Sequence, residues 1–356
     1  MKTEETDRLM KKRRLDALVV CGEANLQSLL GFSCDNGVLV VSRVSSPPTP
    51  TPSPTTPTPL SCTFFTDFRY APEARRKCRG LKIADIRRLV FSSRGRAAGV
   101  RRIGYEGFIP HTRYLQFEKL ARKAKFVDVA KDLLAIRAVK SADEIAKLRA
   151  AEALDCDIYE EAVKRFRPGM TERRMAAVIK TMMIERGEGE AFETIVCVGK
   201  NAAECHHVPD DTVWNGREPV LIDMGVRLGG YCSDLTRNIL PKRMSPSYRR
   251  VYDLVRSAHD AAIAAAKPGM TGRALDKVAR DVIRKGGFGK CFGHSLGHGV
   301  GLEIHEAPVA SAKSDWILKP GMLVTVEPGI YLEDNLGVRI EDLILITEDG
   351  CEVLSR

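Results

Sequence analysis

The sequence predicts a small α/β domain over residues 1–135, then an α+β domain over 136–356 that contains an internal pseudo-twofold duplication. Three observations carry this. Short apolar runs of strand character alternate with helical patterns up to about residue 130, as in an α/β unit. The tetrapeptide Pro168-Gly169-Met170-Thr171 returns a hundred residues later as Pro268-Gly269-Met270-Thr271. In each half an apolar run then ends in an acid: Val220-Leu221-Ile222-Asp223, and Val324-Thr325-Val326-Glu327. Two echoes in the same order point to a repeated helix-plus-strands unit.

Residues 1–14 read as a charged helix without an apolar core, so no secretory signal is expected. Leu15–Cys21 follows as a strand, Asn25–Leu30 as a short helix and Gly37–Val44 as a second strand. The next segment, an insertion over residues 45–60, holds seven of the chain's eighteen prolines among threonines and serines. Such a segment can neither complete a ladder nor bury apolar surface, so an exposed polyproline-like loop is expected. Strand character resumes at Cys62–Thr66, which makes the segment a long hairpin insertion and not a domain boundary. Helices are expected at Tyr70–Cys78 and Arg113–Ala124, and strands at Lys82–Ile86, Arg102–Tyr105 and Lys125–Asp128. No phosphate-binding glycine fingerprint occurs among them. Past Val129–Val139, Ser141 is placed to cap a helix, with Glu144 three residues on completing a capping box. That helix should run from Ala142 to about Arg165.

In the repeated part Thr171 and Thr271 are each placed as N-caps. Each half supplies a second acid, Asp234 in Ser233-Asp234-Leu235-Thr236-Arg237 and Glu341 in Arg339-Ile340-Glu341-Asp342. Two such units facing one another would bring four carboxylates to the centre.

The stretch Gly293–Pro308 holds three of the seven histidines, His294, His298 and His305. The His294/His298 spacing would suit two imidazoles on one helix face, but no Glu follows His294. Gly297, Gly299 and Gly301 would each cost a helix roughly 1 kcal/mol relative to Ala. Glycines here are expected to let backbone approach a site closely, with an extended run from Gly301 onward.

Composition narrows the function classes. The chain has 356 residues, 44% of them apolar, and no run of eighteen apolar residues, so no membrane span is expected. Ten cysteines at irregular spacing, without a CxxC pair, favour free thiols and a cytoplasmic location. Residues 1–140 carry 27 Lys and Arg against 13 Asp and Glu, a net of +14, and the remainder carries −4. The basic excess is dispersed and lies away from the His/acid motifs, so a solvated surface is expected and no nucleic-acid partner.

Isolated carboxylates are expensive to bury. Ordinary strand-end acids satisfied by turns or by Arg237 would account for Asp223 and Asp234 alone. When Glu327, Glu341 and His298 join them, a metal site accounts for more. Four carboxylates in one pocket cannot all ionise without compensating charge, and two divalent cations provide it. One imidazole among carboxylates suits Mn²⁺, Co²⁺ or Fe²⁺. Two such ions can hold a bridging hydroxide and polarise a carbonyl.

With these motifs in place the chain resembles the pita-bread metallopeptidases, close to aminopeptidase P (Xaa-Pro aminopeptidase) and prolidase (Xaa-Pro dipeptidase). The resemblance covers nearly the whole chain. Gly31-Phe32-Ser33 through Phe65-Thr66-Asp67-Phe68-Arg69-Tyr70 is similar to the creatinase-type N-terminal domain, and residues from about 142 onward to the catalytic domain. Ile222-Asp223-Met224-Gly225, Asp234 eleven residues on, Gly297-His298-Gly299, Val326-Glu327-Pro328-Gly329 and Val338-Arg339-Ile340-Glu341-Asp342 carry it. The resemblance implies Asp223, Asp234, His298, Glu327 and Glu341 as metal ligands, with Asp234 and Glu341 bridging. It implies two divalent ions, Mn²⁺ first with Co²⁺, Fe²⁺ or Zn²⁺ as alternatives, and attack of their bridging hydroxide on an Xaa-Pro bond of dipeptides or short peptides. Glu327 would take the proton, and His305 and His206 would act on the reacting peptide. His294 would line the specificity pocket, and Arg339 would support Glu341 or bind substrate. The family often has Pro-His where this chain has Cys205-His206-His207; the count from Asp223 favours His206, leaving His207 behind the site or exposed. A homodimer is expected from family members. The alternatives are a methionine-aminopeptidase-like or other amide hydrolase, a metal-free creatine-hydrolysing enzyme, and a non-catalytic peptide- or nucleic-acid-binding protein. Five intact ligand positions weigh against the last two.

Overall fold

The computed structural model describes residues 2–43, 60–91 and 100–355. The Pro/Thr-rich insertion expected over 45–60 lies outside the described residues, apart from Leu60. The chain divides into two compact units, Met1–Arg137 and Ala138–Arg356. No helix among the described residues is long and apolar enough to cross a membrane.

The first unit runs α1 (Thr3–Arg13), β1 (Ala17–Val20), α2 (Glu23–Leu30), β2 (Val38–Arg43), β3 (Leu60–Thr66), α3 (Ala71–Lys77) and β4 (Lys82–Asp85), then β5 (Arg102–Tyr105), α4 (His111–Leu120), β6 (Lys125–Asp128) and α5 (Ala130–Ala138). Its six strands form one mixed sheet in the order β4-β3-β2-β1-β5-β6. β1 pairs antiparallel with β2 and parallel with β5, and is buried on both faces. Leu18 and Val20 enter one apolar cluster while Ala17 and Val19 enter another. A strand covered on both sides reads as an unbroken apolar run, which is why it was visible in the sequence. β2 and β3 pair antiparallel from Val38↔Phe65 to Arg43↔Leu60, so the segment between them does connect two hairpin-paired strands. The helix expected at Arg113–Ala124 starts earlier and stops at Leu120, because Ala121–Ala124 turn to deliver Lys125 into β6.

The second unit contains α6 (Ala142–Arg165), α7 (Glu172–Arg186), β7 (Ile195–Val198), β8 (Val220–Met224), β9 (Arg227–Leu228), β10 (Tyr231–Cys232) and β11 (Leu235–Ile239). Then come α8 (Pro246–Ala265), α9 (Gly272–Lys285), β12 (Gly297–Gly299), β13 (Glu306–Ala310), β14 (Leu323–Val326), β15 (Gly329–Leu332), β16 (Leu336–Arg339), β17 (Asp342–Ile346) and β18 (Cys351–Val353). Ser141 accepts from the Glu144 amide and Glu144 returns a bond to the Ser141 amide, the expected capping box.

The duplication is present in the backbone hydrogen bonds. Thr171 and Thr271 cap α7 and α9 through the amides of Arg174 and Ala274. Gly169 and Gly269 both have positive φ, 96° and 83°, which only glycine adopts without strain. Their amides donate to Trp214 and Leu318, and each partner donates back to the next methionine, Met170 or Met270. Each half then forms a three-stranded sheet, β11-β8-β7 or β14-β17-β18.

The extended run expected from Gly301 onward is a correction. Strand β12 ends at Gly299, a register shift follows His298, and residues 300–305 are irregular before β13 begins. The cause is close packing: a Cβ on Gly299 would lie 2.2 Å from the Ala307 carbonyl oxygen, so the chain bends at a point where a side chain would not fit.

Beside β13, Lys140 Nζ lies 2.7 Å from Glu306 Oε1, both side chains only 2% exposed. Removing one partner of a buried pair strips the other charge of that compensation. Lys140→Met is therefore expected to destabilise the protein by about 3–5 kcal/mol, read as a lower urea midpoint.

Candidate active site

The two three-stranded sheets supply the acids. Asp223 on β8 is paired across the ladders with Ile195 of β7 and Thr236 of β11. Asp234 directly precedes β11, and its amide donates to Glu152 Oε2 of α6 at 3.2 Å. The Tyr231 hydroxyl donates to Glu144 Oε1 at 3.2 Å. Glu327 directly follows β14, Glu341 directly precedes β17, and the Glu341 amide donates to the Thr236 carbonyl at 3.3 Å. Asp234, Glu327 and Glu341 sit just outside their strands, where a carboxylate leaves the ladder intact, whereas Asp223 lies inside β8, one residue before its end.

His298 stands on β12, held against β14 by a close approach. A Cβ on Gly297 would lie 1.9 Å from the Thr325 carbonyl oxygen, so no other residue fits there. The His298 amide donates to Thr325 Oγ1 at 3.1 Å. Its Nε2 lies 3.6 Å from Asp234 Oδ2 and 3.4 Å from Glu327 Oε1. Its Nδ1 lies 3.2 Å from the Gly299 carbonyl, an acceptor only, so Nδ1 carries the proton and Nε2 offers its lone pair. Burial, with the nearby His305 adding to it, pushes the His298 pKa down to about 4, so the ring is neutral at pH 7. The His298 and His305 rings meet edge to face at 4.4 Å.

The donor set fits divalent cations. One ligand atom each from Asp234, His298 and Glu341 lie within 4.8 Å of one another. Asp223 Oδ1 is buried without a hydrogen-bond partner. Burial, then repulsion from neighbouring carboxylates, holds Asp234 and Glu341 well above the usual carboxylate range. Burial pushes Glu327 up to about 8, against the pull of the Arg339 cation. Such carboxylates are poised to ionise once positive charge is supplied.

Arg339 does not contact Glu341 directly. Its Nη2 donates to Asp223 Oδ2 at 2.5 Å, and its Nε donates at 3.1 Å to Thr236 Oγ1, which donates to Glu341 Oε2 at 2.6 Å. Arg237 pairs with Asp342 at 2.6 Å and not with Asp223. A relay leads from Arg339 Nη1 to the Tyr331 hydroxyl at 2.9 Å, and from that hydroxyl to His294 Nε2 at 2.9 Å. His294 Nδ1 donates to the Ser295 carbonyl at 2.8 Å. Burial lowers the His294 pKa to about 4, so His294 is a neutral acceptor at the end of this relay.

One cavity of about 470 Å³ is lined by Asp223, Asp234, His298, Glu327, Glu341, His206, His305, His294 and Arg339 together. That volume suits a short peptide. His206 and His305 are exposed to the cavity, whereas His207 is 9% exposed and turned toward Glu172. Tyr331, Thr236 and Thr325 were not singled out in the sequence. Their hydroxyls matter through partners on other strands, and no local spacing marks them. Cys205 lines the cavity as well.

Residues 146–348 match metallopeptidase family M24, and residues 2–139 match the Creatinase/Prolidase N-terminal domain. The chain belongs to metallopeptidase family M24. It carries a creatinase-type N-terminal domain ahead of a pita-bread catalytic domain, and the family implies divalent metal ions at the acid cluster. It is 39% identical over 262 residues to the Xaa-Pro dipeptidase of Pyrococcus furiosus, covering 71% of this chain and 73% of that protein. The prolidase structure from Pyrococcus horikoshii OT3 superposes with a TM-score of 0.88 at 30% identity, over 100% of this chain and 98% of the other. The X-Pro aminopeptidase from Thermotoga maritima MSB8 gives 0.84 at 31% identity, over 99% and 97%. The two solved structures span almost the full chain, so both units have counterparts in them.

Proposed function

We propose that this peptidase hydrolyses the Xaa-Pro bond at the N-terminus of dipeptides or short peptides, with two divalent cations, Mn²⁺ first, held by Asp223, Asp234, His298, Glu327 and Glu341. The observation that carries the reading is the convergence of four carboxylates and the neutral Nε2 of His298 on one cavity. The relatives named Xaa-Pro dipeptidase, prolidase and X-Pro aminopeptidase support the substrate class. When bound, the cations polarise the scissile carbonyl and lower the pKa of a water molecule.

The protein's own groups do the rest. Thr236 and Arg339 hold Glu341 and Asp223 in place, and Thr325 holds Glu327 Oε1 at 3.3 Å, leaving Oε2 to take a proton from the attacking water. His305 and His206, both exposed in the cavity, act on the peptide: His305 donates to the carbonyl oxygen as charge develops there, and His206 bonds the reacting peptide. His294 lines the pocket for the residue beside the scissile bond. A prolyl amide has no N–H, so recognition must come from shape and the carbonyl. A homodimer in the cytoplasm completes the proposal; sedimentation velocity tests the dimer.

The test is hydrolysis of Xaa-Pro dipeptides and Xaa-Pro-Yaa tripeptides by chelator-stripped protein with Mn²⁺, Co²⁺ or Zn²⁺ restored. Release from dipeptides alone marks a dipeptidase, and release from tripeptides as well marks an aminopeptidase. Folded, metal-loaded protein that cuts neither would sink the reading. His206→Ala is expected to lower kcat more than His207→Ala, and the opposite order would move the peptide-binding role one residue along.

A further inference from the structure

His207 lies at the wall of the catalytic cavity, mostly buried, in the loop that follows β7. That loop opens with a 3-10 helix, Gly199–Ala203, and returns to α7 where Val213 bridges to Thr171. Its first turn is clamped onto β16: a Cβ on Gly337 would lie 1.6 Å from the Ala202 carbonyl oxygen. Beyond this anchor residues 205–209 line the cavity, with His206 exposed there and His207 mostly buried.

Glu172, in the first turn of α7 and fully buried, organises the loop from within. Its Oε1 accepts from the Val198 amide at 2.6 Å and Asn201 Nδ2 at 2.9 Å. Its Oε2 accepts from His207 Nε2 at 2.7 Å and the Asp210 amide at 3.1 Å. On the other side of the ring, His207 Nδ1 lies 3.2 Å from Glu204 Oε2. Both ring nitrogens therefore face carboxylate oxygens, which only accept. A neutral imidazole has one N–H and would set its lone pair against one of the two carboxylates; the imidazolium has a proton for each.

We propose that His207 is a positioning residue: as an imidazolium clamped between Glu172 and Glu204, it holds the 199–213 loop in the conformation that turns His206 into the cavity. The charged groups facing the ring are Glu172 from α7, and Glu204 and Asp210 from the loop itself. Burial works against the cation, but the hydrogen bonds to Glu172 and Glu204, with the Glu172 and Asp210 charges, outweigh it and raise the His207 pKa above its ordinary value. Glu172, His207 and Asp210 also bring ligand atoms within 4.8 Å of one another, as a cation site would. Both oxygens of Glu172 already accept two donors each, and the 2.7 Å contact to Nε2 is a hydrogen-bond length, so a proton fills the place a metal would need.

Because the folded pKa is raised, the clamp is fully present below the ring's unfolded pKa of about 6.5 and is lost as pH rises through the folded value. The inference uses the peptidase reading for its activity readout only. The experiment compares wild type, His207→Gln and Glu204→Gln, metal-loaded, by kcat and KM on an Xaa-Pro dipeptide across neutral to alkaline pH. Amide-exchange protection of residues 199–213 is read in parallel. His207→Gln is expected to lose about tenfold in kcat with KM changed less than about twofold, and to lose the alkaline decline assigned to this ring. Glu204 is 75% exposed on its side chain, and Glu204→Gln is expected to keep the neutral kcat while moving the alkaline decline to lower pH. Loop protection should fall in His207→Gln at neutral pH. Wild-type kcat, pH profile and loop protection in His207→Gln would overturn the proposal. If wild type cuts no Xaa-Pro substrate, the functional reading falls, and loop protection alone still decides the clamp.

Discussion

Asp234→Ala is expected to lower kcat by about 10³-fold or more while the protein stays folded. Asp234 is 4% exposed, its Oδ2 lies 3.6 Å from His298 Nε2, and one of its ligand atoms lies within 4.8 Å of those of His298 and Glu341. Removing it takes away a proposed metal ligand from the place where both halves of the duplication meet, so bound metal should fall together with kcat. The fold should tolerate the change, because it is the backbone amide of residue 234 that donates to Glu152, and that bond survives in alanine. Metal content per chain and kcat under saturating Mn²⁺, with circular dichroism to establish folding, check the prediction. Wild-type turnover in this variant would remove Asp234 from the site.

Metal-stripped protein is expected to be markedly less stable at pH 8 than at pH 5, and restored Mn²⁺ should abolish most of that difference. Burial and mutual repulsion raise the pKa values of Asp234 and Glu341 well above their ordinary range, and burial raises that of Glu327 to about 8. In an unfolded chain such groups release their protons near pH 4. Between that pH and the raised folded values, the folded chain keeps protons that the unfolded chain has already lost. Raising the pH then favours unfolding by roughly 1.4 kcal/mol per pH unit for each retained proton. Bound cations let the carboxylates ionise in the folded state and flatten the dependence. Urea unfolding at both pH values, in chelator and in Mn²⁺, measures it. Asp234→Ala without metal should show a shallower dependence than stripped wild type, because one of the repelling groups is gone. Equal stability of stripped wild type at the two pH values would show that the acids are not held close enough to repel one another.

The features legible in the sequence were those whose physical cause is local. Ser141, Thr171 and Thr271 cap helices through amides three residues away, and a capping residue needs no partner beyond that turn. β1 could be read as a strand because burial on both faces demands an unbroken apolar run. What the sequence misplaced or left open depended on groups distant in sequence. Strand β12 stops at Gly299 because the Ala307 carbonyl leaves no room for a side chain. The salt-bridge partner of Asp223 is Arg339, more than a hundred residues away, and not the nearby Arg237, which pairs with Asp342. His206 and His207 both line the cavity, and only the fold shows that the His207 ring turns to the buried Glu172.

Residue types and spacing by themselves determined the duplicated unit, the acids at or next to strand ends and the glycine-flanked His298, because an apolar run that closes on an acid marks where a buried strand stops and close backbone contact admits only glycine. Tertiary structure alone decided the protonation and partners of those groups. It made His298 a neutral donor of its Nε2 lone pair, routed Arg339 to Glu341 through Thr236, and set His207 between Glu172 and Glu204. The reason is that a side chain's charge state follows from burial and from whichever groups lie within a few ångströms, and in this chain those groups come from segments far apart in sequence.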